Sequence, residues 1–194
     1  MDFRKILICK FINPFIWPHI KGSKRFKIFE KIKEKQWNDF ETNLSEQRKK
    51  LYGLITYVDK NIPFYSKIIR DNKIRYSEDT IFEDIKKIPI LTKELIKKNQ
   101  DLLINNKLLK KSRPDYSGGS TGEPIRIYHD KKELDNMAAG TMLFNLWAGR
   151  KEGDYLVKLW GSERDILKGG KGLEGFLVRN FMNIELFNTF KTSN

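Results

Sequence analysis

Residues 116–124 read Tyr-Ser-Gly-Gly-Ser-Thr-Gly-Glu-Pro, and no other stretch constrains the fold as strongly. Three glycines and a proline within nine positions rule out a continuous helix or a central strand there. The chain must therefore break at this point, leaving about 115 residues on one side and about 70 on the other. Glycine lets the backbone approach a ligand closely and adopt positive φ. Successive N–H groups in such a loop form a concave anion site. The hydroxyls of Ser117, Ser120 and Thr121 add donors for phosphate oxygens, and one of them suits a phosphate-bound Mg²⁺. The loop is no Walker A motif, because no lysine follows Gly122, and the dinucleotide pattern G-x-G-x-x-G is absent. On turn chemistry alone, a cluster of this composition reads as a plain flexible loop.

The residues before the loop carry helical spacing. Ser23 is placed to cap a helix with Phe26, Phe29, Ile32, Gln36 and Phe40 on one face. Leu44, Leu51, Leu54, Ile55 and Val58 form a second stripe. It must stop near Asn61, because the residue before Pro63 is pushed out of helical geometry. A short helix is expected over 65–71. Ile81, Phe82, Ile85 and Ile88 make a further face ended by Pro89, and Thr92 reads as the N-cap of a helix over Lys93–Asn99.

After the loop the pattern changes. Ile125–Tyr128 and Tyr155–Trp160 read as extended runs. Between them, Asp130 and Glu133 form a capping box. It opens a helix over Lys131–Ala148, with Leu134, Met137, Ala138, Thr141, Phe144 and Ala148 inward and Gly149 as the stop. Strand, helix and strand make a βαβ unit. Leu173, Phe176, Leu177, Phe181 and Ile184 form a last helical stripe. The expected class is α/β: a helix-rich N-terminal region, 1–112, then an α/β region, 113–194, that contains the loop.

The formal net charge is +13. Residues 1–112 hold 26 Lys and Arg against 14 Asp and Glu, whereas residues 113–194 hold 12 against 11. The lysines alternate with acids on helical faces, as in Glu30–Lys35, and no long single-sign run or aromatic–basic ladder appears. This argues for solvated faces and against nucleic-acid binding. Cys9 is the one cysteine, which excludes an internal disulfide and fits a reducing cytoplasm. The apolar start, Ile6–Cys9, is interrupted by Lys10 and too short for a membrane span or a good signal peptide. It reads as a short helix on the body of the protein, with a basic segment on an anionic membrane surface as the alternative. His19 and His129 have no metal-ligand spacing with each other or with Cys9, so no protein-held metal is expected. His129 and Asp154 read as turn residues.

In its order of residues, Ser117–Pro124 resembles the phosphate-binding signature of adenylate-forming enzymes, T/S-S/G-G-S/T-T-G-x-P. Asn61-Ile-Pro-Phe-Tyr65, Ile88-Pro-Ile-Leu-Thr-Lys93, Gly153-Asp154 and Leu159-Trp160-Gly161-Ser162 also resemble segments of one family in that superfamily. That family is the phenylacetate–CoA ligases, especially their capsular-polysaccharide branch. The anchors stand in the family's order over residues 44–194. Tyr116 departs from the usual Thr or Ser, and Gly119 stands where many members carry Ser.

The resemblance implies a two-step reaction. A carboxylate attacks the α-phosphate of Mg·ATP to give an acyl-adenylate and pyrophosphate, and a thiol such as coenzyme A then displaces AMP. It implies that Ser117, Gly118, Gly119, Ser120, Thr121 and Gly122 grip the β- and γ-phosphates, with Thr121 the favoured hydroxyl and Mg²⁺ bound through ATP. Trp160, Gly161 and Ser162 follow a strand and are expected to line the acid pocket, since ligands gather at the carboxyl ends of parallel strands. The alternative for Trp160 is a core aromatic.

The family's later motifs are not found: an aromatic-Gly-x-T/S-E segment, a ribose-binding Asp and a mobile C-terminal domain with a catalytic Lys. The chain thus reads as the N-terminal part of such a ligase, inactive alone, whose partner is the missing C-terminal half or a second copy. The competing expectations are a non-catalytic module completed by a partner, and a basic membrane-surface or nucleic-acid-binding protein.

Overall fold

The computed structural model describes residues 3–117, 124–160 and 183–189. In chain order the helices are α1 (Phe3–Leu7), α2 (Asn13–Phe15), α3 (Arg25–Lys35), α4 (Phe40–Asn61), α5 (Pro63–Asp71), α6 (Ile81–Asp84), α7 (Lys93–Lys98) and α8 (Asn106–Leu109). Strands β1 (Arg113–Tyr116) and β2 (Arg126–His129) follow, then α9 (Lys131–Trp147), β3 (Leu156–Trp160) and β4 (Ile184–Asn188). Wider helical turns, Ile8–Ile12 and Ile16–Ile20, join α1 and α2 into one N-terminal arm. The protein is mixed helix and sheet, with two small sheets among the described residues. None of the described helices is long and apolar enough to cross a membrane.

The chain divides into two compact units, Glu34–Leu134 and a second one drawn from Met1–Lys33 and Asp135–Asn194. The composition change at residue 113 coincides with the start of β1 and lies inside the first of these.

In Glu34–Leu134, α4 begins where the Asp39 carboxylate accepts from the Thr42 N–H at 2.8 Å and the Thr42 hydroxyl at 2.6 Å. This cap corrects the stripe expected to run on to Phe40. That helix ends at Lys35, and Phe40, 74% exposed, opens the next one. The α4 helix ends at Asn61 because Ile62 is extended (φ −117°, ψ 103°) ahead of Pro63, which starts α5. Ile55, Ile69 and Ile81 form the core, packed against Leu51, Val58, Ile85 and Ile88, and Ile81 is fully buried. Leu54, expected on the inner stripe, is 55% exposed. The Thr92 hydroxyl caps α7, accepting from the Leu95 N–H at 3.3 Å.

The other unit revises the α9 face. Asp135, Ala139 and Leu143 are buried, while Met137 and Phe144 are 56% and 62% exposed. The reason is polar. The Ser23 hydroxyl donates to Asp135 Oδ1, and the Lys24 N–H donates to Asp135 Oδ2 at 2.8 Å. A carboxylate satisfied in this way takes the inward position and turns the row at i, i+4 and i+8 toward the interior. The βαβ expectation also changes. β2 pairs with β1 in an antiparallel hairpin, and β3 pairs with β4 in a separate parallel sheet. The parallel pair is thus β3 and β4, and Ile184 opens β4 rather than ending a helix. The rest of that expected stripe, 173–181, lies outside the described residues.

Candidate functional site

The glycine loop is the connection of the β1–β2 hairpin. Tyr116 faces Arg126 in the register, and Asp115 faces Ile127. One residue nearer the loop, the Ser117 N–H donates to the Ile125 carbonyl at 2.9 Å. The Ile125 N–H in turn donates to Ser117 Oγ, also at 2.9 Å. Two hydrogen bonds therefore close the base of the loop. Ser117 is expected among the phosphate hydroxyls; its oxygen already accepts one bond here, and its hydrogen remains able to donate. Gly118, Gly119, Ser120, Thr121 and Gly122 lie outside the described residues, as do Gly161 and Ser162. Trp160 is the last residue of β3, in the other unit.

Ser117 lines a cavity of about 590 Å³ within the Glu34–Leu134 unit. Its wall also includes Tyr65, Leu91, Lys93, Ile125 and Arg126. Tyr65 and the pair Leu91 and Lys93 come from the two upstream segments picked out in the sequence, 61–65 and 88–93. Each is delivered by local rules. Pro63 starts the helix that carries Tyr65, and the Thr92 cap places Lys93 at the first turn of α7. Burial pushes the Tyr65 phenol above its usual pKa, so it stays a neutral hydroxyl through the physiological range.

The remaining wall carries no signal in the motifs. The Asn105 side-chain amide donates to the Tyr57 hydroxyl at 2.6 Å, and the Gln100 amide to the Arg126 carbonyl at 3.2 Å. The first bond ties the start of α8 to α4, and the second ties the turn after α7 to β2. Arg126 stands across from Tyr116, just after the loop, and its guanidinium lies 5.3 Å from the Tyr128 ring centroid. The one sequence signal for Arg126 is its position, the first strand residue beyond a candidate phosphate loop. Lys93 and Arg126 supply positive charge at this wall, and Asp130 and Glu133 supply negative charge. Such a wall suits a ligand with an anionic part and an apolar body.

His129 closes the far end of the hairpin. Its Nδ1 lies 3.0 Å from Glu133 Oε1, and its Nε2 lies 3.8 Å from Asp115 Oδ2. Half of the expected capping box is present, since the Glu133 N–H donates to Asp130 Oδ1 at 2.7 Å. The Glu133 carboxylate meets His129. Asp154 is a turn residue, accepting from the Lys151 N–H at 2.7 Å, and its carboxylate also pairs with Lys5.

No family model matches the chain. The chain is similar to Protein CapK of Staphylococcus aureus, with 29% identity over 163 residues; the match covers 77% of this chain and 34% of CapK. The chain therefore spans about a third of the length of this curated relative. The likeness suggests a capsule-associated family.

Proposed function

We propose that this chain is the N-terminal, phosphate-gripping part of an adenylate-forming ligase in a capsule-associated family. The observation that carries the reading is the grouping of three separate sequence segments. Ser117, Tyr65 and the pair Leu91 and Lys93 come from different elements and border one cavity. In the proposed reaction, a carboxylate attacks the α-phosphate of Mg·ATP and pyrophosphate leaves. A thiol, coenzyme A being the expected one, then takes the acyl group and releases AMP. The 117–122 loop holds the β- and γ-phosphates through its N–H groups and the Thr121 hydroxyl, with Lys93 and Arg126 balancing their charge. Catalysis needs residues beyond this chain, so the isolated chain binds nucleotide weakly and does not turn over.

The test is Mg·ATP binding to the purified chain by calorimetry, with Thr121→Val and Lys93→Gln beside it. Saturable binding that weakens several-fold in each variant supports the reading. Absence of binding at millimolar nucleotide, or binding indifferent to both changes, sinks it. Carboxylate-dependent ATP–pyrophosphate exchange by this chain alone would overturn the claim of incompleteness.

A second reading, a non-catalytic module that pairs with another chain, is favoured by the β3–β4 sheet. Val157, Leu159 and Phe187 are 45%, 70% and 49% exposed there. A compact, soluble monomer in size-exclusion chromatography counts against it.

A further inference from the structure

The N-terminal arm and the start of α3 together combine exposed aromatic rings with charge of one sign. Phe3, Phe11 and Phe15 are 75%, 63% and 61% exposed. A phenylalanine side chain offers about 150–250 Å², so the three rings leave about 400 Å² of apolar surface in water. Summed over the three rings, that area is comparable to the largest apolar patch on a typical monomer. From Phe3 to Phe29 the chain holds seven lysines and arginines and no aspartate or glutamate. Lys5 is paired with Asp154, and the Arg25 guanidinium sits 3.7 Å over the Trp17 ring. Lys10, Lys21, Lys24 and Lys27 are exposed.

The opposite side of the arm is anchored. Ile8 and Asn13 are 2% and 6% exposed. The Asn13 amide donates to the Glu152 carboxylate, and the Cys9 thiol to the Glu152 carbonyl at 3.2 Å. The Trp17 ring N–H donates to Asn13 Oδ1 at 3.1 Å. The arm is thus fastened to its own unit by one side, and the phenylalanines stay outside through packing, not through fraying.

We propose that the arm docks on the surface of an anionic lipid bilayer, with Phe3, Phe11 and Phe15 entering the boundary between headgroups and acyl chains and the exposed lysines facing lipid phosphates. Aromatic rings suit that boundary, and lysines bind an anionic leaflet additively. A protein partner covering the same face would need acids matched to particular lysines. A bilayer needs only the single sign of charge and the apolar rings; the arm supplies the rings and Lys10, and Lys21, Lys24 and Lys27 just beyond it supply the rest of the charge. The segment is helical but carries charge and two prolines, so it lies on the membrane and does not cross it. The proposal does not rest on the ligase reading, and it requires neither nucleotide nor acid.

The test is co-sedimentation of the purified 194-residue chain with vesicles. One set is phosphatidylcholine alone, and the other is phosphatidylcholine mixed equally with phosphatidylglycerol. Binding to the anionic set should exceed the neutral set by at least about tenfold and fall steeply at high salt. The pair Phe11→Ser, Phe15→Ser should cut anionic binding by about tenfold or more, with circular dichroism unchanged because both rings are exposed. The pair Phe11→Trp, Phe15→Trp should retain binding, since tryptophan favours the same boundary. Equal binding to both vesicle sets, or none, overturns the proposal. Vesicle binding untouched by the serine pair, with equally strong capture of heparin or duplex DNA, also overturns it and assigns the arm to general polyanion attraction.

Discussion

Replacing Ser117 with alanine tests how the base of the loop is held. Alanine keeps the bond from the residue-117 N–H to the Ile125 carbonyl and removes the acceptor of the Ile125 N–H. Ile125 is 9% exposed, so water reaches that N–H poorly. A buried donor left without an acceptor costs about 1–3 kcal/mol. At about 1.4 kcal/mol per factor of ten, local opening at Ile125 becomes about 5- to 150-fold more frequent. Native-state hydrogen exchange reads this directly. The Ile125 amide should lose that much protection, while the Ile55 amide in the core should keep its own. Ser117→Thr retains an oxygen at the same place and should retain most of the protection. An Ile125 exchange rate unchanged in Ser117→Ala refutes the clamp. Under the ligase reading, the loosened base also weakens Mg·ATP binding. A loss of nucleotide affinity without faster exchange would show instead that the Ser117 hydroxyl acts on the phosphate itself.

Three other perturbations have definite expected outcomes. Ile81→Ala empties the one fully buried position among Ile55, Ile69 and their neighbours, and should cost about 2–5 kcal/mol. Urea titration should show a lower midpoint with unchanged slope, while Ile90→Ala, at a position 86% exposed, shifts stability by no more than about 0.5 kcal/mol. Glu152 is an exposed residue whose carboxyl is partly desolvated beside Asn13; that desolvation, with Glu30 as a lesser like charge, raises the carboxyl above its usual pKa against the opposing effects of Asn13 and Arg150. A folded-state pKa above the unfolded one means that ionised Glu152 costs stability at neutral pH, and that the cost fades as pH falls through the folded value. Glu152→Gln keeps an acceptor for Asn13, so thermal melts should show it more stable than the parent at neutral pH and converging with it in mild acid; a constant gap refutes this. Gly153 has φ +78°, and an added Cβ would stand 3.0 Å from both Cys9 Sγ and Lys5 Cγ. Gly153→Ala should therefore cost about 1–2 kcal/mol in backbone strain alone and speed proteolysis within residues 3–20; an unchanged cleavage rate counts against the arm being seated there.

Features set by neighbours along the chain are legible in the amino-acid sequence. Pro63 forces Ile62 out of helical geometry whatever surrounds it, and Thr92 caps α7 through its own hydroxyl. The α9 face is not legible in that way, because hydrophobic spacing assigns Asp135 to water. The Ser23 hydroxyl and the Lys24 N–H, more than 110 positions away along the chain, satisfy it as an inward residue. The β1 strand is hidden for another reason. Arg-Pro-Asp-Tyr has weak strand propensity, and all four residues are exposed, so no apolar alternation marks them. Without β1 the loop reads as a connector into a βαβ unit. With it, the loop is the tip of a hairpin, and the parallel pairing moves to β3 and β4.

The same distinction separates two kinds of residue inside the segments that resemble the ligase family. Pro63, Pro89 and Thr92 act on the backbone: one starts a helix, one follows the end of the turn after α6, and one caps α7. Their work is finished locally, and it would be needed in any protein with these breaks. Tyr65, Leu91 and Lys93 are neighbours of those residues in sequence, yet they share a wall with Ser117. No local rule brings a residue of α5, one before α7 and one at the hairpin base around a common space. That requires α4 and α5 to pack through Ile55 and Ile69, and Gln100 and Asn105 to hold their partners on β2 and α4. A motif match alone weighs both kinds of residue equally. The grouping of the second kind is the part that bears on function, since chain breaks recur in unrelated folds, whereas a cavity assembled from three separated segments at the foot of a glycine loop has to be built.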